Sequence, residues 1–427
     1  MVVPEASRNV PRYVWFTTLY NARAYYPVLA ILFVDLGLTL DQYVMLNLVW
    51  AATIFLFEVP SGALADTIGR RVLLVSASVL MIVEMGCLLL APQDGGWVLL
   101  AMCVGNRLLS GLSEAAASGA DEALAYDSLP EGNREQAWDE ILAKVMRYRA
   151  VAFLVAMVFG GLMYDPSLVN RVLPEVLQIS TQLAHRLPVV LVLLQGVVCL
   201  VITWRMVEPR KMQIGSLRET CEESFRLTFR TARWVFTNPK TQVFVIVGLA
   251  IDSVVRNFAT ITSSYYRLLE LPEWSFGLIG AAIGVGGYAV PAIAGRLNQK
   301  FSTLANLGIA AGVGLVGLVG IVPVGSYWGL LPAMLLMMTL GFLGFTLSRA
   351  LNREADSAQR ATVLSVKGLA FNLGYGTFSL GFSLLLAAFP KVPEGYALSE
   401  ALVWQVPFFA VTAFSLLMWG RKRLGVV

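Results

Sequence analysis

Long apolar runs alternate with short polar segments along the whole chain. A helix that crosses a bilayer needs about 20 mostly apolar residues, and twelve runs meet that requirement. The predicted spans are 12–36, 41–61, 72–91, 97–125, 142–164, 187–207, 241–267, 274–296, 303–323, 327–348, 361–389 and 399–420. The pattern predicts an all-α membrane protein with twelve transmembrane helices.

The basic residues collect on one side of these spans. Of the 32 Lys and Arg, 24 lie at the termini and in alternate loops, four lie in the opposite loops, and four lie within spans. Because basic residues in short loops mark the cytoplasmic side, we expect both termini to be cytoplasmic.

The longest basic stretch, residues 208–240, has six predicted spans before it and six after it. We interpret it as a cytoplasmic linker. Apolar residues recur at near-helical spacing from Leu217 to Phe236. This spacing predicts an amphipathic helix at the membrane surface.

Composition excludes several classes of protein. Hydrophobic residues make up 57% of the chain and charged residues 14%, against about 25% charged in soluble domains. An ordinary soluble enzyme, a disordered chain and a coiled coil are therefore excluded. The net charge of +4 is too small to indicate nucleic-acid binding. With one histidine and four scattered cysteines, we expect no metal site, no cofactor and no catalytic triad.

The segment after the second span reads Gly62-Ala-Leu64-Ala-Asp66-Thr-Ile-Gly69-Arg70-Arg71. It resembles the signature loop of the major facilitator superfamily, which lies between helices two and three on the cytoplasmic side. The preceding Phe57-Glu58-Val-Pro60-Ser is similar to a variant found among bacterial members. In the fourth span, Arg107 and Gly111 match the family's helix-four motif, which places an acid about twenty residues after the arginine, here at Asp127.

The resemblance implies a fold and a switch. Residues 1–207 and 241–427 would form two six-helix bundles, and a faint repeat at Gly295-Arg-Leu297-Asn-Gln299 supports this. Gly62, Asp66, Gly69, Arg70, Arg71 and Asp127 would form a conformational-switch loop, in which the glycines allow a tight turn and close helix packing. We expect a monomer in the bacterial inner membrane, in contact with lipid.

Several charged residues fall inside the spans, where charge is costly and usually faces a cavity or a partner. Arg107, Glu114 and Asp121 are seven residues apart in series. On one continuous helix they would share a face, with Ser118 near it. We interpret this face as a polar stripe along a water-accessible path. The alternative is a structural ion-pair network at the cytoplasmic end of the helix.

The first span adds Tyr20, Asn21 and Arg23, and the seventh adds Asp252 and Arg256 at the i,i+4 spacing that permits an ion pair. By the resemblance, the first, fourth, seventh and tenth helices would line a central cavity.

Four further features lie outside this set of site residues. Glu84 has no evident partner, Lys367 is expected to snorkel rather than pair with an acid, His185 is expected to be solvated, and Gly277–Gly287 is expected to serve close helix packing.

These observations favour a secondary transporter that moves a small organic solute by alternating access. Proton-coupled efflux is the predicted direction, with Glu114 or Asp121 carrying the proton. The alternatives are proton-linked uptake of an anionic solute, gripped by Arg23, Arg107 and Arg256, and a membrane-embedded enzyme or lipid scramblase.

Overall fold

A computed structural model describes residues 8–93, 95–130, 134–209, 217–323, 327–355, 360–390 and 395–425. These residues form helices and connecting turns, with no strand among them. Residues 210–216 of the predicted linker lie outside this part of the chain.

Seventeen α-helices occur in the described ranges. They are α1 (Asn9–Asn21), α2 (Leu29–Asp35), α3 (Leu40–Ile68), α4 (Arg70–Leu90), α5 (Trp97–Ala117), α6 (Ala120–Asp127), α7 (Arg134–Tyr164), α8 (Pro166–Val172), α9 (Thr181–Trp204), α10 (Leu217–Thr237), α11 (Pro239–Leu268), α12 (Trp274–Gly287), α13 (Val290–Lys300), α14 (Thr303–Ile321), α15 (Leu330–Glu354), α16 (Arg360–Ala388) and α17 (Tyr396–Leu424).

Local chemistry explains several helix ends. Asn238 accepts hydrogen bonds from the amides of Lys240 and Thr241, and Pro239 occupies the first turn of α11, where its missing N–H costs nothing. Ser302 caps α14 in the same way by accepting from Ala305 N. Gly425 ends α17 in the left-handed conformation at φ +65°, which glycine adopts without strain.

Within the described ranges, nine helical segments are long and apolar enough to cross a membrane. The α12–α13 segment counts as one of them, and α7 with α8, bent by 88°, would make a tenth. The predicted spans 12–36, 97–125 and 142–164 are not among the nine. Helix breaks interrupt the first two, and charged residues occupy the first half of α7.

The predicted continuous helix over 97–125 is wrong at Ser118 and Gly119. Helix α5 ends at Ala117, Ser118 leaves the helical conformation at ψ 115°, and Gly119 is left-handed at φ +73°. The prediction for 12–36 fails in a similar way, because α1 ends at Asn21 and α2 begins only at Leu29.

The chain divides into two compact units. Unit 1 comprises residues 1–38, 53–225 and 272–281, and unit 2 comprises 39–52, 226–271 and 282–427. In unit 1, α4 packs against both α5 and α9. In unit 2, α11 contacts α14, α15, α16 and α17. Accordingly, α11 is the most buried of the nine spanning segments.

Candidate functional site

The centre of unit 1 contains a buried ion pair that sequence reasoning missed. Arg23 lies in the turn that follows α1, and its Nη1 donates to Glu84 Oε1 on α4. The same nitrogen donates to the Tyr25 hydroxyl at 3.0 Å. The exposed fractions of Arg23 and Glu84 are 3% and 0%. The break between α1 and α2, rather than a continuous helix, delivers the guanidinium to this carboxylate.

Arg107 on α5 belongs to the same cluster. Its Nε donates to Asn106 Oδ1 at 3.0 Å, and its guanidinium lies 4.8 Å from the centre of the Phe33 ring. Asn106 also donates to the backbone oxygen of Glu84 at 2.7 Å. Arg107 is 6% exposed, and its Nη2 has no hydrogen-bond partner among the described residues. A buried donor without a partner is costly, so this nitrogen is available to a bound group.

The predicted residues around Arg107 separate into different environments. The Tyr20 hydroxyl lies 2.6 Å from Ser113 Oγ on the buried face of α5. Asn21 is occupied locally, donating to Thr17 O at 2.7 Å. Glu114, the next residue after Ser113, is exposed and makes no ion pair with any described residue.

The predicted polar stripe from Arg107 to Asp121 does not form. Because α5 ends before Ser118, Asp121 lies in the first turn of the separate helix α6. Its Oδ1 accepts from the backbone N–H of Glu122 at 2.8 Å. Its negative charge therefore lies at the N-terminus of α6, where it stabilises the helix. Ser118 is exposed at the break itself. The seven-residue spacing is meaningful only between Arg107 and Glu114.

Unit 2 contains a second charged cluster. Asp252 Oδ2 and Arg256 Nη2 lie 2.7 Å apart on α11, as the i,i+4 spacing predicted. Arg256 Nη1 also donates to Asn372 Oδ1 on α16 at 3.0 Å, and its guanidinium lies 5.5 Å from the centre of the Tyr375 ring. Asp252, Arg256 and Asn372 line a cavity of about 350 Å³.

Lys367 on α16 lines the same cavity. Its Nζ lies 5.7 Å from the centre of the Phe371 ring. The side chain is half-buried beside Asp252 and Arg256, and the expectation that it snorkels stays a prediction. This cavity has two cations and one carboxylate on its walls.

The signature segment forms a sharp junction between α3 and α4. Gly69 separates the two helices at φ +102° and ψ 144°, a conformation open essentially only to glycine. Arg70 begins α4, and its Nη1 donates to Asp127 Oδ2 at 2.5 Å and to Ala123 O at 2.9 Å. Asp66 Oδ1 lies 3.9 Å from Arg70 Nη2, and the Asp66 side chain is 61% exposed. The contact between Arg70 and Asp127 is the one that the resemblance implied.

Two residues of this segment depart from expectation. Arg71 turns away from Asp127. Its Nη2 donates to Trp204 O at 2.8 Å, and its backbone N–H donates to Glu208 Oε2 at 3.0 Å. Gly62 lies inside α3, and a methyl group added there would meet no atom within 4 Å. Close helix packing therefore does not require glycine at this position.

A larger cavity of about 910 Å³ lies in unit 2, between α11, α16 and α17. Its walls are mainly apolar, with Leu249, Phe378 and Phe408 among them. Ser253 and Gln405 are two of its few polar groups. None of the predicted site residues lines it. Across the described ranges, no group of three His, Cys, Asp or Glu side chains is placed to hold a metal ion.

Residues 14–379 match the family model described as Major Facilitator Superfamily. A crystal structure of a variant of the nucleoside transporter NupG is similar at a TM-score of 0.73 with 9% identity, over 97% of this chain and 99% of that one. A bacterial homologue of the human lysosomal transporter Spinster, in an inward-facing and unoccupied conformation, gives 0.69 with 14% identity, over 100% and 99%.

A POT family transporter in complex with 5-aminolevulinic acid gives a TM-score of 0.68 with 15% identity, over 97% of this chain and 96% of that one. No curated protein matches the sequence. At such low identities these structures establish the fold alone.

Proposed function

Because the chain belongs to the major facilitator superfamily, we propose that it moves a small organic solute across the membrane by alternating access. Membership makes it a multi-pass membrane transporter rather than an enzyme. We propose that twelve helices form two six-helix bundles, residues 1–207 and 241–427, joined by a cytoplasmic linker over 208–240. The proposed setting is a monomer in a bacterial inner membrane with both termini in the cytoplasm.

The proposed solute has an anionic group and binds at the charged cluster of unit 2. The observation that carries this proposal is the cavity of about 350 Å³ in unit 2, where Arg256 and Lys367 face one carboxylate, Asp252. The buried cluster of unit 1 likewise has two guanidinium groups, Arg23 and Arg107, around Glu84. In unit 1, where Arg107 is 6% exposed, the surplus cation needs a compensating charge, because an unpaired buried charge is costly. In the partly exposed cavity of unit 2, an anionic group would pair with the surplus cation.

We propose that transport is coupled to protons and that Glu114 carries the proton. An acid at membrane depth ionises readily only while water reaches it. Glu114 is exposed and lies two turns from Arg107 on the same helix, so its protonation can follow the opening of a water-filled path. Asp121 is the second proposed carrier, although its carboxylate already accepts from the backbone N–H of Glu122 at the start of α6.

The proposed direction is export, which rests on the resemblance of the chain to bacterial exporters of the family. Uptake of an anion is the second candidate, and the surplus of cations in both clusters favours it. The two directions differ in the gradient that drives accumulation, so flux measurements with an imposed pH gradient separate them.

The first experiment is a thermal-shift panel on the purified full chain. It contains nucleosides and 5-aminolevulinic acid, following the structurally similar transporters, together with short peptides and small carboxylates. We expect a hit with an anionic group whose shift disappears in Arg256→Gln. Arg218→Gln, at an 87% exposed side chain, is the matched control and should keep the shift. A shift unchanged in Arg256→Gln would place the solute away from this cluster.

A further inference from the structure

The chain's single histidine is half-buried, which contradicts the prediction of a solvated side chain. His185 on α9 is 14% exposed, and its ring stacks on Tyr164 of α7 with the centroids 4.3 Å apart and the planes at 6°. Its Nδ1 lies 3.5 Å from Asp35 Oδ2, and its Nε2 lies 3.9 Å from Glu273 Oε2. The imidazole therefore lies between two carboxylates.

These four residues come from separate helical segments of unit 1. Asp35 is the last residue of α2, Tyr164 is the last residue of α7, and Glu273 directly precedes α12. The Tyr164 hydroxyl donates to Asp35 Oδ2 at 2.5 Å, which holds that carboxylate beside the ring. The neighbouring Arg186 points elsewhere, donating to Leu89 O and Ala91 O at 2.7 Å. Asp165, next to Tyr164, caps α8.

One turn away from this cluster, α12 packs backbone to backbone on α7. A Cβ added to Gly161 would lie 2.7 Å from Gly277 N and 2.9 Å from Trp274 O. A Cβ added to Gly277 would clash with the backbone oxygen of Met157. Such close contact depends on small residues. Residues 272–281 cluster with unit 1, whereas the rest of α12 belongs to unit 2.

We propose that His185, between Asp35 and Glu273, is a proton-binding site that, when protonated, fastens the start of α12 onto α2, α7 and α9. An imidazolium donates from both ring nitrogens and can satisfy both carboxylates. A neutral imidazole donates from only one, so one carboxylate then faces a lone pair. Because imidazole titrates near physiological pH, the grip on α12 depends on pH. The site goes beyond the proposed function, since it requires no solute.

Hydrogen–deuterium exchange of the full chain in nanodiscs measures how firmly the start of α12 is held, without a transport assay. The readout is the exchange of amides in Trp274–Ala281, corrected for intrinsic rates, between about pH 5.5 and about pH 8, which bracket the titration of imidazole. We expect protection to fall about tenfold as pH rises, within the usual range of coupling between sites. Amides of α14, which has no titratable side chain, provide the internal control.

Four variants separate the proposal from a purely structural cluster. His185→Gln should exchange fast at both pH values. His185→Arg keeps a planar cation that stacks on aromatic rings, so it should stay protected at both. Glu273→Gln should lose the pH dependence, whereas Glu175→Gln, an exposed acid nearby in the chain, should behave as the parent.

Protection that is independent of pH in the parent, or unchanged pH dependence in His185→Gln, would overturn the proposal. If His185→Gln does not fold, His185→Arg and Glu273→Gln decide the question. Retained pH dependence in either of these would contradict it. Because no solute enters the measurement, its outcome is independent of whether the proposed transport is correct.

Discussion

Replacing Glu84 with Gln is expected to destabilise the protein by about 3–5 kcal/mol, the usual effect of removing one partner of a buried ion pair. The structure places this pair in that regime, since Arg23 is 3% exposed and Glu84 is 0% exposed. The change removes the carboxylate charge but leaves the guanidinium out of water.

A second variant tests whether the loss comes from the orphaned charge. Replacing both partners, in Arg23→Met with Glu84→Leu, leaves no buried charge in the pair and should cost far less than Glu84→Gln alone. The exposed pair Arg218–Glu222 is the matched control. Its atoms lie 2.8 Å apart, but the side chains are 87% and 65% exposed, so Glu222→Gln should cost about 0.5 kcal/mol or less.

The assay is reversible unfolding in mixed micelles, which gives a free energy of unfolding for each variant. Equal losses in Glu84→Gln and Glu222→Gln would refute the reasoning, because burial would then make no difference to an ion pair here. A double variant as unstable as Glu84→Gln would also refute it. A double variant that folds but does not transport would show that this pair acts in transport.

Three further predictions concern the signature segment and the orientation of the chain. Asp66→Asn should slow transport while leaving expression and ligand binding intact, because Asp66 is 61% exposed and its proposed role is to bias one of two states; unchanged flux would count against that role. Gly69→Ala should cost about 1–3 kcal/mol in unfolding experiments because of its backbone conformation, whereas Gly62→Ala inside α3 should be neutral or stabilising by up to about 1 kcal/mol. In a background without native cysteines, Thr67→Cys should react with an impermeant reagent only after cells are opened and Gln93→Cys should react in intact cells; the reverse would overturn the predicted orientation.

The parts of the site that sequence reasoning found are those with a local or motif-based signal. Asp252 and Arg256 are one helical turn apart on α11, so the ion pair follows from spacing alone. Arg70 and Asp127 are distant in the chain, but two motifs in register pointed to both residues. The helical spacing and the motif register can both be read from the sequence without knowing how the helices pack.

The parts that it missed depend on packing between distant segments. Arg23 and Glu84 are 61 residues apart, and no pattern indicates which buried acid meets which base. The break at Ser118 and Gly119 was hidden because Ala, Ser and Gly also occur within spanning helices. His185 looked solvated because Asp35, Tyr164 and Glu273 come from other helical segments.

The central claim is proton-coupled transport of a solute with an anionic group. Its most direct test is flux of a thermal-shift hit into proteoliposomes that contain the full chain, with an imposed pH gradient. We expect the parent to accumulate the compound against its concentration only while the gradient lasts. Glu114→Gln should exchange the compound but fail to accumulate it, whereas Asp121→Asn should accumulate it as the parent does; the opposite pattern would make Asp121 the carrier. Accumulation by Glu114→Gln at the parent rate would contradict the role of Glu114, and accumulation by the parent that ignores the pH gradient would contradict proton coupling itself.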